Sequence, residues 1–388
     1  SISLTVKKKV IIDSKYPQVK IADLFLTIKN GKNVRQSDTI GGYRVSRIES
    51  IANAEFDIKA TKWTTDKVDE QDFLQKGDIL FSHINSVKYL GKTGIFDSDE
   101  KVVHGINLLR FRANNLILPE YAYAIFKLPV FMTEVQKYAI KAANQASVNI
   151  SNIKGIRIPV PPIDVQKQIV EEIGKVDKST SIANSVINSK ISDIKTIING
   201  LVPIVGIKEY FDINTKVLNP VSCWENEHFT YVDIDSVGKG DGNISFDKII
   251  LGKDAPSRAR RVAQDRTVII STVRPYLKGF AYIENVPNKT IFSTGFALLR
   301  SKNEENYISK LLYYLFMFSD DLMKQMETAM PKTAYPSINK DDIDNFRIPM
   351  PSINEQKHII SQIEALELEI NNARTTIENA ASKKQVIL

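Results

Sequence analysis

The chain has 388 residues, 43% of them hydrophobic and 25% charged, with a net charge of +7 and a pI near 9.1. That length suits two or three domains, and the apolar content excludes a wholly disordered chain. There is no run of eighteen apolar residues for a membrane span, the start SISLTVKKKV lacks a signal-peptide core, and the lone Cys223 excludes an internal disulfide and argues against a cysteine-based zinc site.

In chain order, GDILFS (Gly77–Ser82), TGIF (Thr93–Phe96) and INLLRFR (Ile106–Arg112) are short β-branched or aromatic runs beside turn residues, the pattern of strands. PEYAYAIFKLPVFMTEVQKYA (Pro119–Ala139) has helical apolar spacing, with a bend or break expected at Pro129. RIPVPPI, from Arg157, is an extended lead-in, because proline fixes φ and pushes the preceding residue away from helix. A helix is expected from near Ile163, with Asp164 placed to cap it or to complement its dipole. Its apolar or small residues recur in steps of three and four at Ile169, Ile173, Val176, Thr180, Ala183, Ile187, Ile191, Ile194, Ile198 and Leu201, a coiled-coil seam.

The second half repeats the first. RTVIIST, GFAYI and GFALLR read as strands, and NYISKLLYYLFMFSDDLMKQME (Asn306–Glu327) as one helix. RIPMPSINEQKHIISQI, from Arg347, matches RIPVPPIDVQKQIVEEI at nine of seventeen positions, at a constant offset of 190. Asn354 stands where Asp164 does, and a second seam follows through Ile359, Ile363, Leu366, Ile370, Ala373, Ile377 and Ala380. Ser147-Val148-Asn149 pairs with Ser337-Ile338-Asn339 at the same offset, and near the starts of the halves the offset drops to 186. A domain-sized period marks a duplication rather than a solenoid. Each half is therefore an α+β unit followed by a helix of some 35 residues, spanning roughly 50 Å at 1.5 Å per residue. Two such helices can bury their narrow seams on each other in antiparallel contact.

Arg157-Ile158-Pro159-Val160-Pro161-Pro162-Ile163 with Gln166-Lys167, repeated from Arg347 to Lys357, resembles the specificity subunit of Type I restriction-modification systems. Glu355-Gln356 matches the acidic-residue–glutamine pair of that signature, whereas the first copy has Val165 in the acidic position, which makes the two helix starts chemically unequal. The resemblance covers nearly the whole chain. It implies two similar mixed α/β target recognition domains, 1–157 and 204–347, separated by two long antiparallel coiled-coil helices, 158–203 and 348–388. It also implies a non-catalytic, cytoplasmic subunit that reads a bipartite, asymmetric double-stranded DNA target. Two adenine-methyltransferase (modification) subunits would dock on it, and restriction/translocase subunits would complete the complex. This chain would hold no cofactor of its own; S-adenosylmethionine and ATP with Mg would be bound by those partners. The alternative is the C-terminal specificity region of a fused methyltransferase or methyltransferase-nuclease, which the absence of an initiator Met would suit.

Motifs for chemistry in the chain itself are missing. There is no [DNS]-P-P-[YFW] run, and GKT at Gly91–Thr93 has Ser86 where a phosphate loop needs glycine. VGKGDGN, from Val237, reads as a flexible or hairpin loop, and His83, His104, His228 and His358 lack metal-ligand spacing. Asp164, Glu172 and Lys175 read as a solvated helix face.

Bases are read by Arg, Lys, Asn and Gln, and phosphates are held by basic and hydroxyl groups. HINSVKYLGKTG offers His83, Asn85, Lys88, Tyr89 and Lys92; its counterpart TVRPYLKG offers Arg274, Tyr276 and Lys278. PSRARR adds Arg258, Arg260 and Arg261. Just before each S-[VI]-N stand Asn144 and Gln145, and Lys332, Thr333 and Tyr335.

Overall fold

The computed structural model describes residues 14–85, 90–141, 146–331 and 336–388. The chain divides into two compact units, residues 1–182 with 376–388, and residues 183–375. Each is mixed α/β, and the expected strands appear at the expected places.

In the first unit the central sheet is antiparallel, in the order Phe25–Asn30, Leu109–Ala113, Ile79–Phe81, Thr93–Ile95. A smaller sheet joins Lys62–Thr64, Tyr43–Val45 and Val102–Val103, the last two in parallel. The second unit repeats both. Its central sheet runs Phe211–Ile213, Phe296–Ser301, Thr267–Ser271, Phe280–Ile283. Its other sheet sets His228–Val232 parallel to Thr290–Ser293, between Ile249–Leu251 and an added strand, Ala259–Arg261.

Two helices close each central sheet. Pro129 does interrupt the first pattern, giving Pro119–Phe126 and Pro129–Lys137. The second pattern, expected as one helix, is also two, Ser309–Phe318 and Asp320–Ala329. The break falls at the equivalent residue, Ser319, whose hydroxyl accepts from Leu322 N–H and caps a new helix. Proline breaks one copy by losing a donor and serine breaks the other by satisfying one, which apolar periodicity does not register.

The repeated prolines now have a structural role. Arg157–Pro159 is a strand that pairs antiparallel with Gln18–Lys20, and Arg347–Pro349 pairs likewise with Ile204–Gly206. The long helices run Ile163–Asn199 and Ile353–Ile387. Ile163 starts the first as the sequence suggests, but the cap of the second is Ser352 rather than Asn354. Ser352 Oγ accepts from Glu355 N–H at 3.4 Å, while Glu355 accepts from Ser352 N–H and Oγ at 2.8 and 2.7 Å. Those bonds hold the Glu355 carboxyl below its usual range. Pro162 and Val165 occupy the equivalent sites in the first copy and cannot form this box, and Val165 packs on the core instead. Asp164 is exposed and sits 3.5 Å from Lys167.

Within each unit the two long helices meet antiparallel. In the first, Lys384 pairs with Asp177, while Ile387 and Leu388 join the core containing Ile169 and Ile173. In the second, Lys190 meets Glu369 at 3.0 Å, and residues 200–202 lie beside Asn354 and His358. The seams serve two contacts at once, since Ile359, Ile363, Ile194 and Ile198 also enter the core beneath the sheet and its helices.

Candidate nucleic-acid interface

The two sequence segments singled out in each half, far apart in the chain, are hydrogen-bonded neighbours. In the first unit Ile84–Asn85 pairs with Ala146–Val148, and Val148 N–H donates to the His83 carbonyl at 2.9 Å. In the second, Val273 bridges Ser337, Arg274 N–H donates to the Pro336 carbonyl, and Ile338 N–H donates to Thr272, both at 2.9 Å. Val148 and Ile338 are buried, and the asparagines that follow cap short helices, Asn149 toward Ser151 N–H and Asn339 toward Asp342 N–H. The S-[VI]-N triplet is thus a clamp: one apolar anchor and one cap fix a segment against the loop that leaves the central sheet.

The loop of the second unit is held in an unusual conformation. Arg274 and Lys278 both adopt left-handed backbone (φ 47° and 52°) on either side of a turn at Pro275–Leu277. Each such residue without glycine costs about 1–3 kcal/mol, so the surroundings must over-determine it. They do so through Leu277 N–H to the Arg274 carbonyl, Lys278 N–H to Pro275, and Gly240 N–H to the Lys278 carbonyl. The Lys278 ammonium turns inward to the Met317 carbonyl at 2.5 Å, and desolvation lowers its pKa. Lys278 is therefore an anchor of the loop, not the outward cation that its sequence position suggests. Outward the loop presents Tyr276, 46% exposed, and the neighbouring Leu277, with the partly exposed Arg274 beside them.

The other expected residues divide in the same way. His83 is buried, and the loss of water lowers its pKa to about 4, so it is a neutral interior ring and not a surface contact. Lys92 is half-buried and its carbonyl accepts from Ser82 N–H. Arg258 is exposed just before the added strand, Arg260 donates to its neighbour's carbonyl at Ala259, and Arg261 is half-buried with its pKa lowered by desolvation. Lys88, Tyr89, Asn144, Gln145, Lys332, Thr333 and Tyr335, and the side chain of Asn85, lie outside the described residues.

One neighbour of the loop escaped the sequence reading. VGKGDGN is the expected hairpin, with Val237 bridging Ile244, and the Gly240 hydrogen bond sets the hairpin beside Lys278. Exposed Lys239 thereby joins the candidate surface. The available signal was the glycine spacing: Gly240 and Gly242 have φ of 79° and 76°, and a Cβ on Gly242 would sit 2.2 Å from the Tyr313 hydroxyl. Among the described residues no cluster of His, Cys, Asp or Glu fits a metal ion, and no helix is long and apolar enough to cross a membrane.

In each unit a buried glutamine joins the helix-covered core to a long helix. Gln166 and Gln356 are fully buried. Gln166 Oε1 accepts from Leu118 N–H (2.8 Å), and Nε2 donates to the Leu116 and Pro161 carbonyls (3.0 and 2.8 Å). Gln356 makes the same three bonds, from Ile308 N–H (2.8 Å) and to Asn306 and Pro351 (both 3.0 Å). Each signature glutamine staples the segment entering the sheet-covering helix to the first turn of a long helix. Tyrosines add to this, Tyr121 to the Pro159 carbonyl at 2.9 Å and Tyr307 to Pro349 at 2.7 Å.

Fold and site together define a duplicated recognition protein, in which each sheet-and-helix unit fixes a clamped loop and is stapled to its own long helix. The chain belongs to the family described as the Type I restriction modification DNA specificity domain, whose model matches residues 14–193 and again 202–379. It is 26% identical to the putative type I restriction enzyme MjaX specificity subunit of Methanocaldococcus jannaschii, over 95% of this chain and 91% of that one. It is 22% identical to the MjaVIII specificity subunit of the same organism, over 77% and 74%. Its fold is similar to a chain from a study of complex assembly and conformational transition of the type I R-M system (TM-score 0.57, 17% identity, 97% and 98% covered). It is also similar to the S subunit from M. genitalium (TM-score 0.54, 14% identity, 97% and 96% covered). The chain is a DNA-specificity subunit of a Type I restriction-modification system.

Proposed function

We propose that each unit reads one half of a bipartite, asymmetric DNA target, and that the long helices carry two adenine-methyltransferase subunits to it. The observation that carries this reading is the duplicated clamp: one backbone frame, built twice, bearing different side chains. Similar frames give both units the same mode of approach, and different side chains give them different base preferences. In the second unit Arg274, Tyr276, Arg258 and Lys239 form the outward set, with phosphate contacts from the lysine and base reading from an arginine. Restriction/translocase subunits complete the assembly. S-adenosylmethionine and ATP with Mg act in those partners, and the work is done in the cytoplasm, where the DNA is.

The test is methylation-sensitive sequencing of DNA from cells expressing the chain with its modification subunit. Two unlike half-sites at a fixed gap are expected; one continuous short motif would refute the bipartite reading. The purified chain alone should transfer no methyl group and cut no DNA, and reproducible methylation by it would overturn the assignment of chemistry to the partners.

A further inference from the structure

The two units fill one equivalent space differently. In the first, a cavity of about 470 Å³ opens where helices Pro119–Phe126 and Pro129–Lys137 meet the two long helices. Small residues, Ala124, Gly174, Ala380 and Ala381, leave the space open among larger apolar walls such as Tyr123 and Ile377, with Asp177 and Lys384 also lining it. A Cβ added at Gly174 would meet nothing within 4 Å. At the repeat offset of 190 the second unit has Tyr314, Glu364, Lys190 and Ile191 in place of those four, and Glu367 in place of Asp177. There the space is occupied. Tyr314 is fully buried, its hydroxyl donates to Glu367 at 2.8 Å, Glu364 pairs with Lys310 at 2.6 Å, and Ile194, the counterpart of Lys384, is buried in the same core.

We infer that the cavity of the first unit receives an aromatic side chain, a tyrosine, from the docked partner. The inference rests on the reading that a methyltransferase subunit binds this chain, and it names one anchor of that contact. The occupant is specified by the second unit, where the same backbone frame closes around a phenol whose hydroxyl meets a carboxylate. In the first unit the counterpart of Tyr314 is missing, since residue 124 is alanine, and the phenol that does line the cavity, Tyr123, donates to the Ala54 carbonyl instead; the acceptor at position 177 is kept. Asp177 is one methylene shorter than glutamate and is held by Lys384, so an incoming hydroxyl finds an acceptor and a cation together. A buried aromatic anchor with a single polar contact has the chemistry of an interface hot spot. The two units consequently engage their methyltransferase subunits unequally, one by insertion and one by a surface already filled.

The test uses the full chain and p-cresol, the side-chain analogue of tyrosine. Saturable binding of p-cresol is expected by calorimetry, and it should be lost in Ala124→Tyr and in Ala381→Ile, two substitutions copied from the filled unit. The same variants should weaken association with the methyltransferase subunit roughly 10- to 100-fold. Ala381→Ile keeps the question answerable where Ala124→Tyr does not fold. Absence of p-cresol binding to the wild-type chain would overturn the proposal. So would a folded variant that has lost p-cresol but keeps its affinity for the methyltransferase, and that result leaves subunit docking itself intact. A wild-type chain that binds p-cresol but captures no methyltransferase refutes the docking reading and, with it, the occupant.

Discussion

Removing the Gln356 side chain should unfasten the second long helix from its unit. In Gln356→Ala one N–H (Ile308) and two carbonyls (Asn306 and Pro351) lose their partners. A buried orphan costs about 1–3 kcal/mol. Only the Pro351 bond is wholly buried, so water can reach the other two groups in part. Weighting them at about half gives a loss of about 2–6 kcal/mol, centred near 4, and a fall in Tm on the order of 10 °C for a domain of this size. Gln356→Glu sharpens the test, because it keeps shape and the Oε1 acceptor but turns the other atom against two carbonyl oxygens now 3.0 Å away. Burial beside those oxygens raises the pKa of the new carboxyl above its unfolded value near 4.3. Between about 4.3 and the raised pKa only the folded state holds the extra proton, so the penalty relative to wild type shrinks as the pH falls toward about 4.3, grows as the pH rises through the raised pKa and is constant above it. Urea denaturation of wild type and both variants at pH 7.5 and pH 5 measures this. Gln166→Ala should behave like Gln356→Ala, because its three bonds are the same. A Gln356→Ala protein melting within about 2 °C of wild type, or a Gln356→Glu penalty independent of pH, would refute the staple.

Three further outcomes are expected. In the assembled complex Arg274→Ala should cost about 1–3 kcal/mol at one base position, read by competition with altered targets, whereas Lys278→Met should lower stability without changing the salt slope of DNA binding. Equal salt-slope changes in both would show that Lys278 faces DNA after all. Burial depresses the pKa of both His83 and His104 to about 4, so each contributes stability that is complete above about 6.5 and is lost as the pH falls toward 4, about 3 kcal/mol each. His104→Gln should flatten part of that loss in acid melts, and an unchanged pH profile would contradict it. Inserting four residues after Ala183 adds roughly 6 Å of helix, close to two base pairs at about 3.4 Å each. If helix length sets the gap between the half-sites, the methylated motif should show a gap longer by one or two base pairs, and full activity at the original gap would show that it does not.

The sequence by itself carried the duplication, the α+β character of each half, the extended proline lead and the start of the first long helix at Ile163. These are local properties, since proline geometry and apolar spacing act within a few residues. The second copy of the signature also let one half be checked against the other. Tertiary structure alone decided which candidates face outward. His83, Lys278 and Arg261 have the composition of contact residues, yet backbone direction and burial turn them inward, and nothing in their neighbouring sequence encodes that direction. The pairing of the loop after one strand with the S-[VI]-N triplet some sixty residues later likewise depends on the sheet that brings them together. The role of Gln166 and Gln356 was hidden for the same reason. A glutamine in a helix start looks solvated, and it became a buried staple only because the fold supplied one N–H and two carbonyls at the right distances.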